Sequence, residues 1–288
     1  MILSYSKTYI LEESEMADTQ TKPASEDIVG TDKLEKVDLS DDYIFDHALE
    51  IVEEAKKRNL LVRLIGSTAF VVHCPENRSL FKTLDRRLTD VDLISYSSAS
   101  QSSFDDMFAA LGYQPIRSLG WHAAARDIYV NDEKLYVDVF KDTLSYCHVI
   151  DFKDRLELDE PTITLVDLML EKLQVVEINE KDFKDMAILL LEHELGCDDP
   201  EKIDSDYLAQ LWSKDWGFYY TGTTNLKKLN QYLKGIEALE TTQKNRIKDK
   251  IKRILNQVEV APKSLRWKLR SKIGTKMRWY EEVEGVVR

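Results

Sequence analysis

Asp90 and Asp92 stand two residues apart in RRLTDVDLIS, Asp138 follows in KLYVDVF, and a Gly66-Ser67 pair precedes them in LVRLIGSTAFVVH. Each carboxylate interrupts an apolar, β-type run, where acidic residues are disfavoured unless something there needs them. Side chains alternate faces along a strand, so Asp90 and Asp92 share one face, about 6.6 Å apart along its axis. That spacing lets both reach one divalent ion or two adjacent ones, and Asp138 adds a third ligand if its run pairs beside the first. Hard carboxylate oxygens suit Mg²⁺ or Mn²⁺. Two carboxylates roughly 4 Å apart repel by about 4 kcal/mol at an effective dielectric near 20, a penalty that a cation offsets.

The Gly-Ser pair supplies the other half of the chemistry. A turn between a strand and a helix N-terminus presents backbone N–H groups to an anion. Glycine lets a phosphate approach the backbone, and a serine hydroxyl can donate to it. Together the residues predict a site for a divalent metal and a nucleotide phosphate.

These residues need a framework to position them. From Ser40 the pattern is helical, with Ile44, Ala48, Ile51, Val52 and Ala55 at i, i+3, i+4 spacing and Ser40 or Asp41 as N-cap. LLVRLI reads as a buried strand closed by Gly66-Ser67, and TAFVVHC as a helix. PENRSLFKTLDRRLT reads as a polar loop, VDLISY as the next strand, and SSFDDMFAALG as a short helix ended by Gly112. RDIYV and KLYVDVF flank Asn131-Asp132-Glu133 as a hairpin. From Thr164 the chain is helical, through TLVDLMLEKLQVVEI and EKDFKDMAILLLEHELG to the stripes Leu226/Leu229/Leu233/Ile236 and Ile247/Ile251/Ile254/Val258. The expected fold is α/β (α+β): a small mixed sheet flanked by helices, followed by an all-helical C-terminal domain. The expected segments are a disordered 1–38, a core at 39–160, a helical extension at 161–224 and a basic helical region at 225–288.

Of the 288 residues 43% are hydrophobic, enough for a sizeable core. No apolar run reaches the roughly 18–20 residues of a membrane span, and the N-terminus does not resemble a secretory signal. Cys74, Cys147 and Cys197 are far apart and lack metal-ligand spacing, so a reduced, cytoplasmic protein is expected. The net charge of −12 is unevenly spread. Asn225–Arg288 carries 17 Lys+Arg against 7 Asp+Glu, net +10, which leaves 23 against 45 in residues 1–224, net −22.

In these motifs the chain resembles the polymerase β-like nucleotidyltransferase superfamily, above all its abortive-infection toxin, minimal and aminoglycoside nucleotidyltransferases. GSTAFVVH is similar to the family's Gly-Gly/Ser opening motif, RRLTDVDLIS to its Asp-x-Asp motif and YVDVF to the strand with the third carboxylate. LVDLMLEKLQ and KDFKDMAIL resemble its helical Lys motif and the Lys-Asp-x-x-Asp motif after it. The likeness covers residues 40–195. It implies that Asp90 and Asp92 bind metal and that Asp138 completes the site and acts as general base toward an acceptor. It also implies that Gly66 and Ser67 hold a nucleoside triphosphate, that Lys172 neutralises its charge, and that Lys181 and Asp185 support nucleotide or acceptor binding. The implied activity is Mg²⁺-dependent transfer of NMP from an NTP to a hydroxyl, such as that of a tRNA held by the basic C-terminal region, with an antitoxin protein as a further partner. A small-molecule acceptor and a catalytically silent nucleotide- or partner-binding member are the alternatives.

Plainer readings stand beside these. Lys172 could snorkel on a helix surface, and Asp185 could pair with Lys181 at i,i+4. Arg86 and Arg87 fit a phosphate contact or a solvated loop equally. His73 fits a satisfied core histidine, and His193-Glu194 lacks the second histidine of a zinc-protease motif. Lys244, Lys248 and Lys252 suit either a phosphate backbone or a solvated face over an acidic domain.

Overall fold

Helix α1 (Asp41–Lys57) starts where Ser40 accepts the Tyr43 N–H, with Asp41 and Asp42 in its first turn and Lys56 and Lys57 in its last, each complementing the helix dipole. It buries the expected stripe of Ile44, Ala48, Ile51, Val52 and Ala55. The computed structural model describes residues 37–117 and 126–282, so most of the 1–38 segment lies outside the described residues.

The chain then runs through β1 (Val62–Ile65), α2 (Gly66–His73), α3 (Arg78–Thr83), β2 (Val91–Ser95), α4 (Gln101–Ala110) and β3 (Gln114–Ile116). Next come β4 (Arg126–Val130), β5 (Tyr136–Lys141) and the small ribbon of β6 (Thr143–Ser145) and β7 (Val149–Asp151). The five-stranded sheet has the order β1-β2-β5-β4-β3, with β2 and β5 parallel and the other neighbours antiparallel. The RDIYV/KLYVDVF hairpin is present, closed by Asn131, whose side chain accepts the Leu135 N–H at 2.8 Å. Sequence reading missed α3, a six-residue helix that buries only Phe81, inside the expected loop. It also missed β3, a three-residue edge strand that tolerates Pro115 because an edge needs no N–H there.

Helices make up the rest: α5 (Leu165–Leu173), α6 (Glu180–Glu192), α7 (Ser205–Lys214), α8 (Trp216–Tyr232), α9 (Thr241–Val260) and α10 (Leu265–Ile273). The protein is thus a mixed α/β fold with a helical C-terminal region. α5 and α6 pack against α2, while α7, α8 and α9 pack on one another. Leu226, Leu229, Leu233, Ile247, Ile254 and Val258 are fully buried, as their spacing predicts. α5 is shorter than its apolar run, because Val175–Asn179 leaves the helix before Asn179 caps α6 through a capping box with Asp182. Among the described residues, no helix is long and apolar enough to cross a membrane.

Candidate metal and nucleotide site

The sheet sets Asp92 and Asp138 side by side. They are Cα partners on the parallel pair β2 and β5, where adjacent strands run about 4.8 Å apart and paired residues share a face. Asp90 lies one residue before β2, at its mouth, with its carboxylate accepting from the Thr89 hydroxyl at 2.9 Å.

Gly66 borders this pair. The helix α2 starts at Gly66 itself, not after Ser67, and Gly66 has φ +64°, a left-handed conformation that favours glycine. A Cβ there would collide with the Asp92 carboxylate. The glycine therefore serves a close approach of its backbone to Asp92. Its N–H is taken: it donates to Glu171 Oε2 at 2.9 Å. Glu171 thus occupies the position where a phosphate was expected, and Ser67 beside it is buried.

Glu171 belongs to a buried network of two cations and three carboxylates. Lys172 Nζ stands 3.1 Å from Glu171, 3.6 Å from Asp182 and 3.7 Å from Asp185. Burial would lower the pKa of its ammonium, but these three carboxylates outweigh burial and hold it above the usual lysine value. Lys172 is therefore neither a surface lysine nor exposed toward a nucleotide. Asp185 is fully buried and receives a bidentate pair from Arg86 at 2.7 and 2.9 Å, so Lys181 is not its partner and it does not face a ligand. Lys181 is exposed. Arg86, read as a phosphate contact or a solvated residue, is neither: it ties the loop that leads into Asp90 to α6. Arg87 is the exposed one, paired with Asp41 at 3.0 Å.

Sequence reading did not single out Glu171 or Arg126. Arg126, on β4, donates to Asp138 Oδ2 at 2.6 Å. The signal for Glu171 was a second charge beside Lys172 within an apolar helical run. For Arg126 it was a basic residue on the strand that the hairpin folds against Asp138.

Carboxylate oxygens such as those of Asp90, Asp92 and Asp138 are of the type that suits a hard divalent cation. Among the described residues, however, the group of ligand atoms within 4.8 Å of one another is His73, His193 and Glu201. Arg126 pairs with Asp138, and the Thr89 hydroxyl donates to Asp90. The histidine group does not suit a metal. His193 Nδ1 and Nε2 meet the carbonyl oxygens of Glu201 and His73 at 2.9 and 2.7 Å, and His73 Nε2 meets the Thr162 hydroxyl at 2.5 Å. The pair ties the C-terminal ends of α2 and α6 together, in keeping with the expectation for a core His73.

No protein-family model matches this chain, and no curated protein matches it.

Proposed function

We propose that this chain is a divalent-metal-dependent nucleotidyltransferase that moves an NMP from an NTP to an acceptor hydroxyl and releases pyrophosphate. The observation that carries the reading is the register of Asp92 and Asp138 on neighbouring parallel strands, beside a left-handed glycine that opens a helix. Its motifs resemble those of the polymerase β-like superfamily, and the mixed sheet supports that resemblance.

In this reading Asp90, Asp92 and Asp138 hold the metal, which when bound neutralises charge on the triphosphate and on the attacking and leaving oxygens. Asp138 orients the acceptor hydroxyl and takes its proton. Gly66 keeps the backbone low enough for the Asp92 carboxylate, and Glu171 fixes Gly66. Lys172, Asp182, Asp185 and Arg86 act from behind, as a rigid support that aims the loop bearing Asp90. Catalysis is then chiefly positioning and preorganised charge. The acceptor is a tRNA or a small molecule, with Lys244, Lys248 and Lys252 on α9 as the RNA contact. The proposed setting is a cytoplasmic toxin paired with an antitoxin, as the resemblance implies.

One observation favours a second reading, a catalytically silent nucleotide binder: the expected phosphate ligands, the Gly66 N–H and Lys172, are occupied by protein carboxylates. Incubation with each labelled NTP, Mg²⁺ and total RNA separates the two. The wild type should release pyrophosphate and label an acceptor, and Asp90→Ala/Asp92→Ala should do neither. Equal labelling by both proteins would sink the proposal, and binding without pyrophosphate would favour the silent reading.

A further inference from the structure

The outer face of α10 is unlike the rest of the surface. Eight large hydrophobic side chains are exposed among the described residues, and five of them fall between Val260 and Met277. Leu265 is 80% exposed and Leu269 65% exposed, and Ile273 continues the line at i+8. At 100° per residue these three form one stripe. Exposed Lys268 and Lys272 lie along one edge of it and exposed Arg266 along the other. From Val260 to Tyr280 the chain has seven Lys or Arg and no Asp or Glu.

The opposite face of α10 is anchored. Trp267 packs edge-on against Tyr219 of α8 at 5.1 Å, and the Arg270 guanidinium lies over the Trp216 ring at 4.7 Å. Further on, the Trp279 indole N–H donates to the Thr221 hydroxyl at 3.0 Å. The helix is therefore held by its inner side with the apolar stripe outward. Propensity and packing on α8 do not require leucine at 265 or 269, since neither contributes to the core.

We infer that α10 is a peripheral docking element for an anionic lipid surface, its Leu265/Leu269/Ile273 stripe entering the headgroup boundary while the flanking lysines and Arg266 meet lipid phosphates. Charge complementarity and shape select this occupant. A short basic helix with an apolar face lies in the interface plane, and clusters of four to eight basic residues on such a helix recognise acidic headgroups. RNA would gain from the lysines but would leave the stripe in water. A partner helix would need a groove to lodge in, whereas α10 projects with both borders of its stripe exposed. The inference is independent of the nucleotidyltransferase reading.

Co-sedimentation of the full chain with phosphatidylcholine vesicles, with and without phosphatidylserine, tests it. The wild type should bind the anionic vesicles at least about tenfold better, and added salt should weaken the binding. Leu265→Ser/Leu269→Ser/Ile273→Ser should lose at least about tenfold of that binding, and Lys268→Gln/Lys272→Gln/Lys276→Gln a comparable amount. All these positions are exposed, and circular dichroism verifies that the variants fold. Absence of wild-type binding to anionic vesicles would overturn the inference. So would equal binding by the serine variant, which would reduce the interaction to simple charge adsorption. Binding of tRNA that falls only in the lysine variant, without any vesicle binding, would assign the face to RNA instead.

Discussion

Replacing Arg126 by methionine should tighten the protein's hold on Mn²⁺. Arg126 donates to Asp138 at 2.6 Å, with the arginine side chain 34% exposed and the aspartate 17%. A partly buried pair of this kind is worth about 1 kcal/mol, discounted for solvent screening. A divalent ion that recruits Asp138 must break this pair and also sit near the guanidinium charge. Removing Arg126 therefore returns about 1 kcal/mol to metal binding, which is about fivefold in Kd, since each 1.4 kcal/mol is tenfold. Methionine keeps an apolar stem, so folding should change little. The assay is titration of free Mn²⁺ by electron paramagnetic resonance in wild type, Arg126→Met, Asp138→Asn and the double variant. Arg126→Met should bind tighter, and the gain should vanish in the Asp138→Asn background. Equal or weaker Mn²⁺ binding by Arg126→Met would refute the idea that Arg126 and a metal compete for Asp138.

Three further outcomes follow from the same geometry. Gly66→Ala forces a Cβ into the left-handed region and against Asp92, so urea denaturation should show a loss of roughly 1–2 kcal/mol or more, together with weaker Mn²⁺ binding; an unchanged midpoint would contradict the close approach. Arg86→Met leaves Asp185 buried with Lys172 as its remaining cation and should cost about 3 kcal/mol, whereas a loss below about 1 would mean that the network is dispensable. His148 is buried on Phe218 and the Thr221 hydroxyl, and burial pushes its pKa down to about 4 despite Asp215. The unfolded imidazole titrates near pH 6.5, so the unfolded state takes up the extra proton first. This contribution is complete above about pH 6.5 and is lost as pH falls toward 4, by up to about 3 kcal/mol. Relative to His148→Asn, wild type should lose stability more steeply across that window, and parallel pH profiles would exclude the effect.

Local patterns carried much of this fold. The i, i+3, i+4 stripe of α1, the Asn131 hairpin and the apolar runs of α8 and α9 depend on neighbours within a few turns, so the sequence displays them directly. The pairing of β2 with β5 is non-local, and only the chemical expectation for Asp138 pointed to it. The helix around Lys172 was also legible, yet its environment was not: an apolar run cannot reveal that Glu171 turns back to the Gly66 N–H, or that Arg86, about a hundred positions earlier, reaches Asp185. A surface lysine and a phosphate ligand were the locally sensible readings of Lys172. A buried five-charge network overrides both because its members come from three separate places in the chain: α5, α6 and the loop before β2.

The most direct test of the central claim, that Asp90, Asp92 and Asp138 form one metal-nucleotide site, is calorimetric titration with Mn²⁺ and a non-hydrolysable NTP analogue. Wild type should bind the analogue only with metal present, and Asp92→Asn and Asp138→Asn should each lose that binding while keeping wild-type circular dichroism. Analogue binding that ignores metal, or that survives both substitutions, would contradict the account.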